Sequence, residues 1–101
     1  MPTKKPAPDR YVIVRTYSAG CFAGILESRS GQEVVLREAR RLWHWLGAAS
    51  LSQLAVSGTS KPAECRFPAP TPRHELTQAI EIIDCTPAGR AAIEGVPVWS
   101  E

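Results

Sequence analysis

The chain has 101 residues, of which 44% are hydrophobic and 22% are charged, and its formal net charge is +2. This length and composition are those of one ordinary globular domain. The small net charge argues against a general nucleic-acid binder, whose basic residues must create a strong positive field. The basic N-terminus has no apolar stretch behind it, and no segment is long enough to span a bilayer. We therefore expect a cytosolic protein with no membrane partner.

The cysteines and histidines form no recognisable disulfide or metal pattern. Cys21, Cys65 and Cys85 are odd in number, and no two of them make a Cys-x-x-Cys pair. His44 and His74 lack the His-x-x-x-His spacing of a zinc site. We expect three reduced thiols, no metal site and no cofactor.

The first thirty residues predict antiparallel strands. Residues 11–16 are β-branched and alternate, with Tyr11, Ile13 and Arg15 on one face. Turn residues on either side of residues 21–28 make that segment a second strand. Gly24 inside it predicts a bulge or a close approach of another backbone.

Residues 33–46 fit both a helical and an alternating pattern. The neighbouring meander favours a strand, and so does the run Trp43-His44-Trp45, which would place aromatic rings around too much of a helix. We expect a strand over residues 33–46, broken near Arg37 and Glu38.

The C-terminal half predicts two short helices and one more strand. Ser50 and Gln53 are spaced as a capping box, which predicts a helix over residues 51–57 that Gly58 closes. Residues 59–72 are rich in proline and predict a loop, in which residues 65–67 form at most a short edge strand. A strand is expected within residues 75–85, and Thr86-Pro87 starts a helix that ends at Glu94.

These elements define an α+β fold, an antiparallel β-meander with two short helices. The single domain covers residues 11–101. Residues 1–10, with three prolines and two lysines, predict a disordered tail. Three tryptophans are many for so short a chain, and some of them could be buried against another copy.

Catalysis is not indicated. The chain has neither a Gly-x-Ser-x-Gly elbow nor a glycine-rich phosphate loop, and neither His44 nor His74 has a sequence neighbour that identifies a triad. We therefore expect no catalytic residues and a binding protein rather than an enzyme.

Arginines and aromatic residues are the remaining candidates for function, because a nucleotide needs stacking partners for its base and forked donors for its phosphates. They occur after residue 36, in the first hairpin and in the proline-rich loop, and include Arg15, Arg41, Trp43, Trp45, Arg66 and Phe67. For each tryptophan, a place in the core or in an interface is the alternative. Arg40 or Arg41 could equally be a solvated charge. A GC-rich genome would also enrich arginine, which supplies nine of the twelve basic residues.

Three longer motifs resemble a family of short phage and prophage proteins. They are R-T-x-S-A-G-x-F-A-G, A-R-R-L-W-x-W and G-A-x-S-L-S-Q-L-A, and the likeness covers nearly all of residues 11–99. Among characterised proteins, this family resembles the first type of anti-Thoeris sponge. These phage proteins sequester cyclic ADP-ribose isomers made by bacterial TIR-domain immune enzymes, and some members resemble cyclic-oligonucleotide sponges.

The resemblance implies a β-rich protomer that assembles into dimers or hexamers, with ligand pockets between protomers. It implies binding without cleavage, in the cytoplasm of an infected bacterial host. The positions that match the ligand contacts of the family are Arg15, Arg41 and Phe67, and Trp43, Trp45 and Arg66 are further candidates. In this interpretation Phe67 or a tryptophan stacks on adenine, while Arg41 and Arg15 hold the phosphates.

Two other hypotheses remain open. The protein could be a small structural or interaction protein of the virion or the infected cell, with no small-molecule ligand. A nucleic-acid binder is the third, and the net charge of +2 counts against it.

Overall fold

The structure is a computed structural model that describes residues 10–100. Over these residues it has five strands, two helices and a single 3₁₀ turn: β1 (Tyr11–Thr16), β2 (Cys21–Ser30), β3 (Glu33–Arg41), α1 (Leu51–Ser57), the 3₁₀ turn (Pro62–Glu64), β4 (Thr71–Leu76), β5 (Ala79–Asp84) and α2 (Pro87–Gly95). The predicted α+β class is therefore confirmed. The predicted tail, residues 1–10, lies outside the described residues except for Arg10, whose side chain pairs with Asp84 at 2.7 Å.

The strands form one antiparallel sheet in the order β4, β3, β2, β1, β5. Its two edge strands, β4 and β5, follow each other in the chain and are joined only by residues 77 and 78. Such a short connection keeps the end of one edge strand beside the start of the other. The sheet therefore curls strongly, with an inner and an outer face.

The inner face carries a core made by the sheet alone. Its nine buried residues all lie on strands: Val12, Val14, Phe22, Leu26, Val34, Leu36, Ala39, Leu76 and Ala79. Since no helix contributes to this cluster, the curled strands themselves exclude water from it.

The outer face carries a second core, which we call the helix-side core. Tyr11 and Ile13 of β1 pack there with Leu54 of α1 and Ile93 of α2. Phe67, which lies between the 3₁₀ turn and β4, belongs to the same core. Val12 and Val14 point to the inner face. The predicted alternation of β1 is thus confirmed, and both of its faces are buried as far as Val14.

Both helices begin where their sequences predicted. The Ser50 hydroxyl accepts a hydrogen bond from the backbone N–H of Gln53 at 3.2 Å, and the Thr86 hydroxyl accepts one from that of Gly89 at 3.0 Å. Gly58 closes α1 with φ of +76°. The Gln53 side chain accepts from the backbone N–H of Ala49 rather than that of Ser50, so the capping box is formed on one side only.

β3 confirms the strand interpretation as far as Arg41 and corrects it beyond. Residues 42–46 leave the sheet, because Leu42 turns into the helix-side core. The predicted break is a bulge at Glu38, which has φ of +51°. The predicted close approach at Gly24 is also present, since a Cβ there would lie 3.0 Å from the carbonyl oxygen of Arg37.

β4 is a second correction. Residues 71 and 72 were expected in a loop and Glu75 in the following strand, whereas Thr71–Leu76 is a separate strand paired with β3. Pro72 is compatible with it because β4 is an edge strand, where a missing N–H need not break the ladder.

Alkaline pH should destabilise this fold. Burial, and then the charge of Asp84, raise the pKa of the Cys85 thiol from 9.0 to about 11. Burial also raises the pKa of the Tyr11 hydroxyl above its ordinary value. Because both pKa values are higher in the folded state, the stabilisation is complete below the unfolded pKa and is lost as the pH rises through the folded one.

The check is urea unfolding at about pH 8 and about pH 10.5, with the expectation that the free energy of unfolding falls between them. Cys85→Ala and Tyr11→Phe should each reduce the fall. An equal fall in both variants and the parent would show that other groups cause it.

Candidate functional site

Two of the six predicted ligand residues, Trp43 and Arg66, lie together, and Trp99 joins them. The rings of Trp43 and Trp99 are stacked, with centroids 5.1 Å apart and planes 10° apart. The Arg66 guanidinium carbon lies 5.6 Å from the centroid of the Trp43 ring and 5.7 Å from that of Trp99. Trp43 is 56% exposed. We call these three residues the tryptophan ledge, an accessible surface that joins flat aromatic rings to a positive charge.

Three separate backbone segments bring the ledge together. Trp43 follows β3, Arg66 precedes β4 and Trp99 follows α2. The backbone N–H of Arg66 donates to the carbonyl of His44 at 2.7 Å, and that of Trp99 donates to the carbonyl of Phe67 at 3.0 Å. The ledge is therefore set by tertiary structure and not by one local motif.

Arg40 ties two of these segments to the sheet. Its side chain is buried, and its guanidinium donates to two carbonyls beside Arg66 and to three carbonyls that lead to Trp99. The acceptors are Phe67 at 2.7 Å and Pro68 at 3.1 Å, then Ile93 at 2.8 Å, Val96 at 2.8 Å and Pro97 at 3.4 Å. These five contacts use all five guanidinium N–H groups.

Carbonyl dipoles stabilise the Arg40 charge in place of a carboxylate. Two of the accepting carbonyls lie at the C-terminal end of α2, where the helix dipole favours a cation. The Phe67 ring lies 5.5 Å from the guanidinium carbon. Burial lowers the pKa of Arg40 from its ordinary value. The expectation that Arg40 could be a solvated charge is therefore wrong, and Arg40 positions the ledge without belonging to it.

Arg15 and Arg41 lie near the same end of the sheet but on opposite faces. Arg15 is opposite Cys21 on β2, whereas Arg41 is opposite Phe22, the next residue along that strand. Arg15 pairs with Glu81 at 3.0 Å. These two arginines do not converge on one phosphate within a single chain.

The Arg41 side chain has local partners of its own. It donates to the carbonyl of Ala19 at 2.7 Å, and its guanidinium carbon lies 4.5 Å from the centroid of the Phe22 ring. It remains partly exposed. Because the predicted strand ends at Arg41, this side chain does not share a strand face with Trp43 and Trp45.

Phe67 and Trp45 lie in different surroundings from the ledge. Phe67 is fully buried in the helix-side core, with no ring face open to a ligand in the single chain. Trp45 is partly buried against the same core. Both positions match the alternative interpretation, in which these aromatic residues serve packing.

Sequence reasoning missed Trp99 as a site residue. It follows the helix stop at Gly95 and Pro97, where no periodicity predicts the direction of a side chain. The one signal in the sequence is that Trp99 is a tryptophan, like the predicted ligand residue Trp43.

Residues 10–100 contain no group of three or more His, Cys, Asp or Glu side chains that could hold a metal ion. No helix within these residues has the length and the apolar character required to cross a membrane.

Comparison with known proteins identifies a family but no ligand. Residues 9–93 match the model of a family described as a domain of unknown function, DUF6948. No curated protein and no solved structure matches the chain. The resemblance to anti-Thoeris sponges therefore stays a prediction.

Proposed function

The chain belongs to the DUF6948 family, whose function is unknown. From the resemblance of its motifs to the anti-Thoeris sponges, together with its own residues, we propose that it is a phage-encoded sponge that binds a nucleotide immune signal without cleaving it. The signal is a cyclic ADP-ribose isomer or a cyclic oligonucleotide, sequestered in the cytoplasm of the infected bacterium. The observation that supports this proposal is the tryptophan ledge.

The ledge combines the two kinds of contact that a nucleotide needs. A base that stacks on an aromatic side chain gains about 1–3 kcal/mol. Arg66 lies beside both indole rings and carries a permanent charge, so its guanidinium can bind a phosphate of the same ligand. Trp43 is already stacked on Trp99, which reduces the side-chain freedom that is lost on binding.

Phosphate binding by Arg15 and Arg41 requires more than one copy of the chain. Their side chains lie on opposite faces of the sheet, so one ligand contacts both only where a second protomer supplies one of them. The proposal therefore includes a homo-oligomer, a dimer or a hexamer, with the ligand between protomers. Arg41→Ala should weaken binding and leave the assembly folded, because its side chain is partly exposed.

The direct test is calorimetric titration of the protein with cyclic ADP-ribose isomers and cyclic di- and trinucleotides. Trp43→Ala and Trp99→Ala should each weaken binding by about 5- to 150-fold, the loss of one stacking contact. Tyr17→Ala is the matched control, since Tyr17 is 76% exposed and lies outside the ledge.

Recovery of the ligand after heating separates a sponge from an enzyme. Intact ligand supports sequestration, and hydrolysed ligand would replace the proposal with a catalytic one. Binding that is unchanged in both tryptophan variants would remove the ledge from the site.

The second candidate is a protein-interaction module. Three large apolar side chains near the ends of the ledge segments are exposed: Trp43 at 56%, Val98 at 56% and Leu46 at 43%. Such side chains also occur in protein interfaces. A stable assembly with no thermal shift for any nucleotide would favour this function over the sponge.

A further inference from the structure

A cavity of about 280 Å³ lies beside the C-terminal end of α2. It is lined by Tyr11, Glu38, Arg40, Pro70, Glu94, Val96 and Val98. None of these residues belongs to the ledge. The cavity is therefore a separate feature that the proposed function does not use.

Tyr11 supplies the polar group that marks this cavity. The residue is only 5% exposed, and its hydroxyl has no hydrogen-bond partner among residues 10–100. Every fully buried side-chain oxygen or nitrogen among residues 10–100 has a hydrogen-bond partner. The unpartnered Tyr11 hydroxyl is therefore accessible to solvent. An unpartnered hydroxyl on an otherwise buried ring costs free energy unless water or a ligand binds it.

Tyr11 lines this cavity beside Glu94 and Arg40. It also borders a neighbouring hollow with Cys85 and Arg90. Burial raises the pKa of Tyr11, the charges of Glu94 and Cys85 raise it further, and those of Arg40 and Arg90 lower it. The hydroxyl thus stays protonated at neutral pH and can both donate and accept a hydrogen bond.

Arg40 does not make the cavity an anion site. All five of its N–H groups donate to backbone carbonyls, so it has no donor left for a bound anion. The side-chain groups of the lining that can accept hydrogen bonds are the Tyr11 hydroxyl and the carboxylates of Glu38 and Glu94.

Of the two carboxylates, Glu38 is the one available to a ligand. Glu94 pairs with Arg90 at 3.2 Å, whereas Glu38 has no ion pair or hydrogen bond within the described residues. Pro70, Val96 and Val98 form apolar walls beside it. The site thus offers apolar contact for a short stem and accepting oxygens for a cationic head.

We propose that this cavity binds an organic cation, an ammonium or guanidinium group on a short apolar stem, through Tyr11 and Glu38. The cation replaces water at the Tyr11 hydroxyl and pairs with the Glu38 carboxylate. Its source is either a small free amine or a basic side chain of a partner protein, and the two share the same chemistry.

The experiment is an NMR titration of the full chain with butylguanidinium and with its neutral analogue 1-butanol. Butylguanidinium should shift the amide signals of Tyr11, Val96 and Val98 to saturation, and 1-butanol should not. Tyr11→Phe and Glu38→Gln should each weaken this binding by about tenfold or more, as expected for a hydrogen bond to a charged group. Glu33→Gln, an exposed glutamate outside the cavity, should leave it unchanged.

A second titration uses a short peptide with one central arginine. Saturation by the peptide at the same amides assigns the site to a protein side chain, and saturation by the free cation alone assigns it to a small molecule. Equal binding of 1-butanol, or unchanged affinity in Glu38→Gln, would overturn the proposal. Ledge variants such as Trp43→Ala should not affect this titration, so its failure is distinct from a failure of the sponge.

Discussion

Arg40→Met should lower the free energy of unfolding by about 3–5 kcal/mol, because it leaves several buried carbonyls without a donor. Those carbonyls belong to segments on both sides of the guanidinium, beside Phe67 and at the end of α2. Methionine has a similar length and fills the space without supplying an N–H group. A loss of this size is a large part of the stability of a small domain, which is typically about 5–15 kcal/mol.

Urea unfolding of three variants checks this prediction. Arg41→Met is the matched control, since its neighbouring guanidinium is partly exposed and donates to a single carbonyl, that of Ala19. Arg40→Lys should lie between the two, because an ammonium keeps the charge but has three donors instead of a planar fork of five. A loss in Arg40→Met no larger than that in Arg41→Met would contradict the structural role.

Replacing Arg40 with lysine should also disturb the tryptophan ledge. Arg40 binds the segments that carry Arg66 and Trp99, so in Arg40→Lys the stacking of Trp43 on Trp99 should weaken even where the chain stays folded. Circular dichroism detects coupled indole rings, and we expect that signal to fall in Arg40→Lys and to persist in Arg41→Met.

The elements that the sequence predicted well are those set by local chemistry. Helices α1 and α2 begin directly after Ser50 and Thr86, where one hydroxyl accepts a hydrogen bond from a backbone N–H at the helix start. β1 alternates because each of its faces meets a different apolar core. In each case a few residues that are close in sequence determine the local structure.

β4 and residues 42–46 could not be predicted in the same way. β4 carries Pro72, Arg73 and Glu75, which have little strand preference, and it forms because β3 offers a partner. Residues 42–46 continue an alternating pattern but leave the sheet, because Leu42 is drawn under the helices. Long-range packing decides both segments.

The site depends on one irregularity that reverses the faces of β3. Leu36 and Ala39 both belong to the inner core although they are three residues apart, since the bulge at Glu38 adds a residue to the strand. The bulge sends Arg40 under the helices and Arg41 to the other face. Two adjacent arginines of the same type thus acquire different roles, which their sequence alone cannot assign.

Gly89→Ala should destabilise the protein by about 3 kcal/mol, because it adds a methyl group where two helices touch. A Cβ at Gly89 would lie 1.9 Å from the carbonyl oxygen of Ala55 and 2.6 Å from its carbonyl carbon. Both atoms are backbone, so no side-chain rotation relieves the clash, and α1 and α2 must separate. Ala55 is fully buried in the helix-side core, which would therefore open with them.

Gly95→Ala is the matched control in the same helix. A Cβ at Gly95 meets no atom of residues 10–100 within 4 Å, and alanine is favoured over glycine in a helix by about 1 kcal/mol. Thermal and urea unfolding should therefore show a large loss for Gly89→Ala and no loss for Gly95→Ala. Similar midpoints for the two variants would mean that α1 and α2 can move apart without cost. The helix-side core, and with it the position of Trp99 beyond α2, would then be far less rigid than the contact at Gly89 implies.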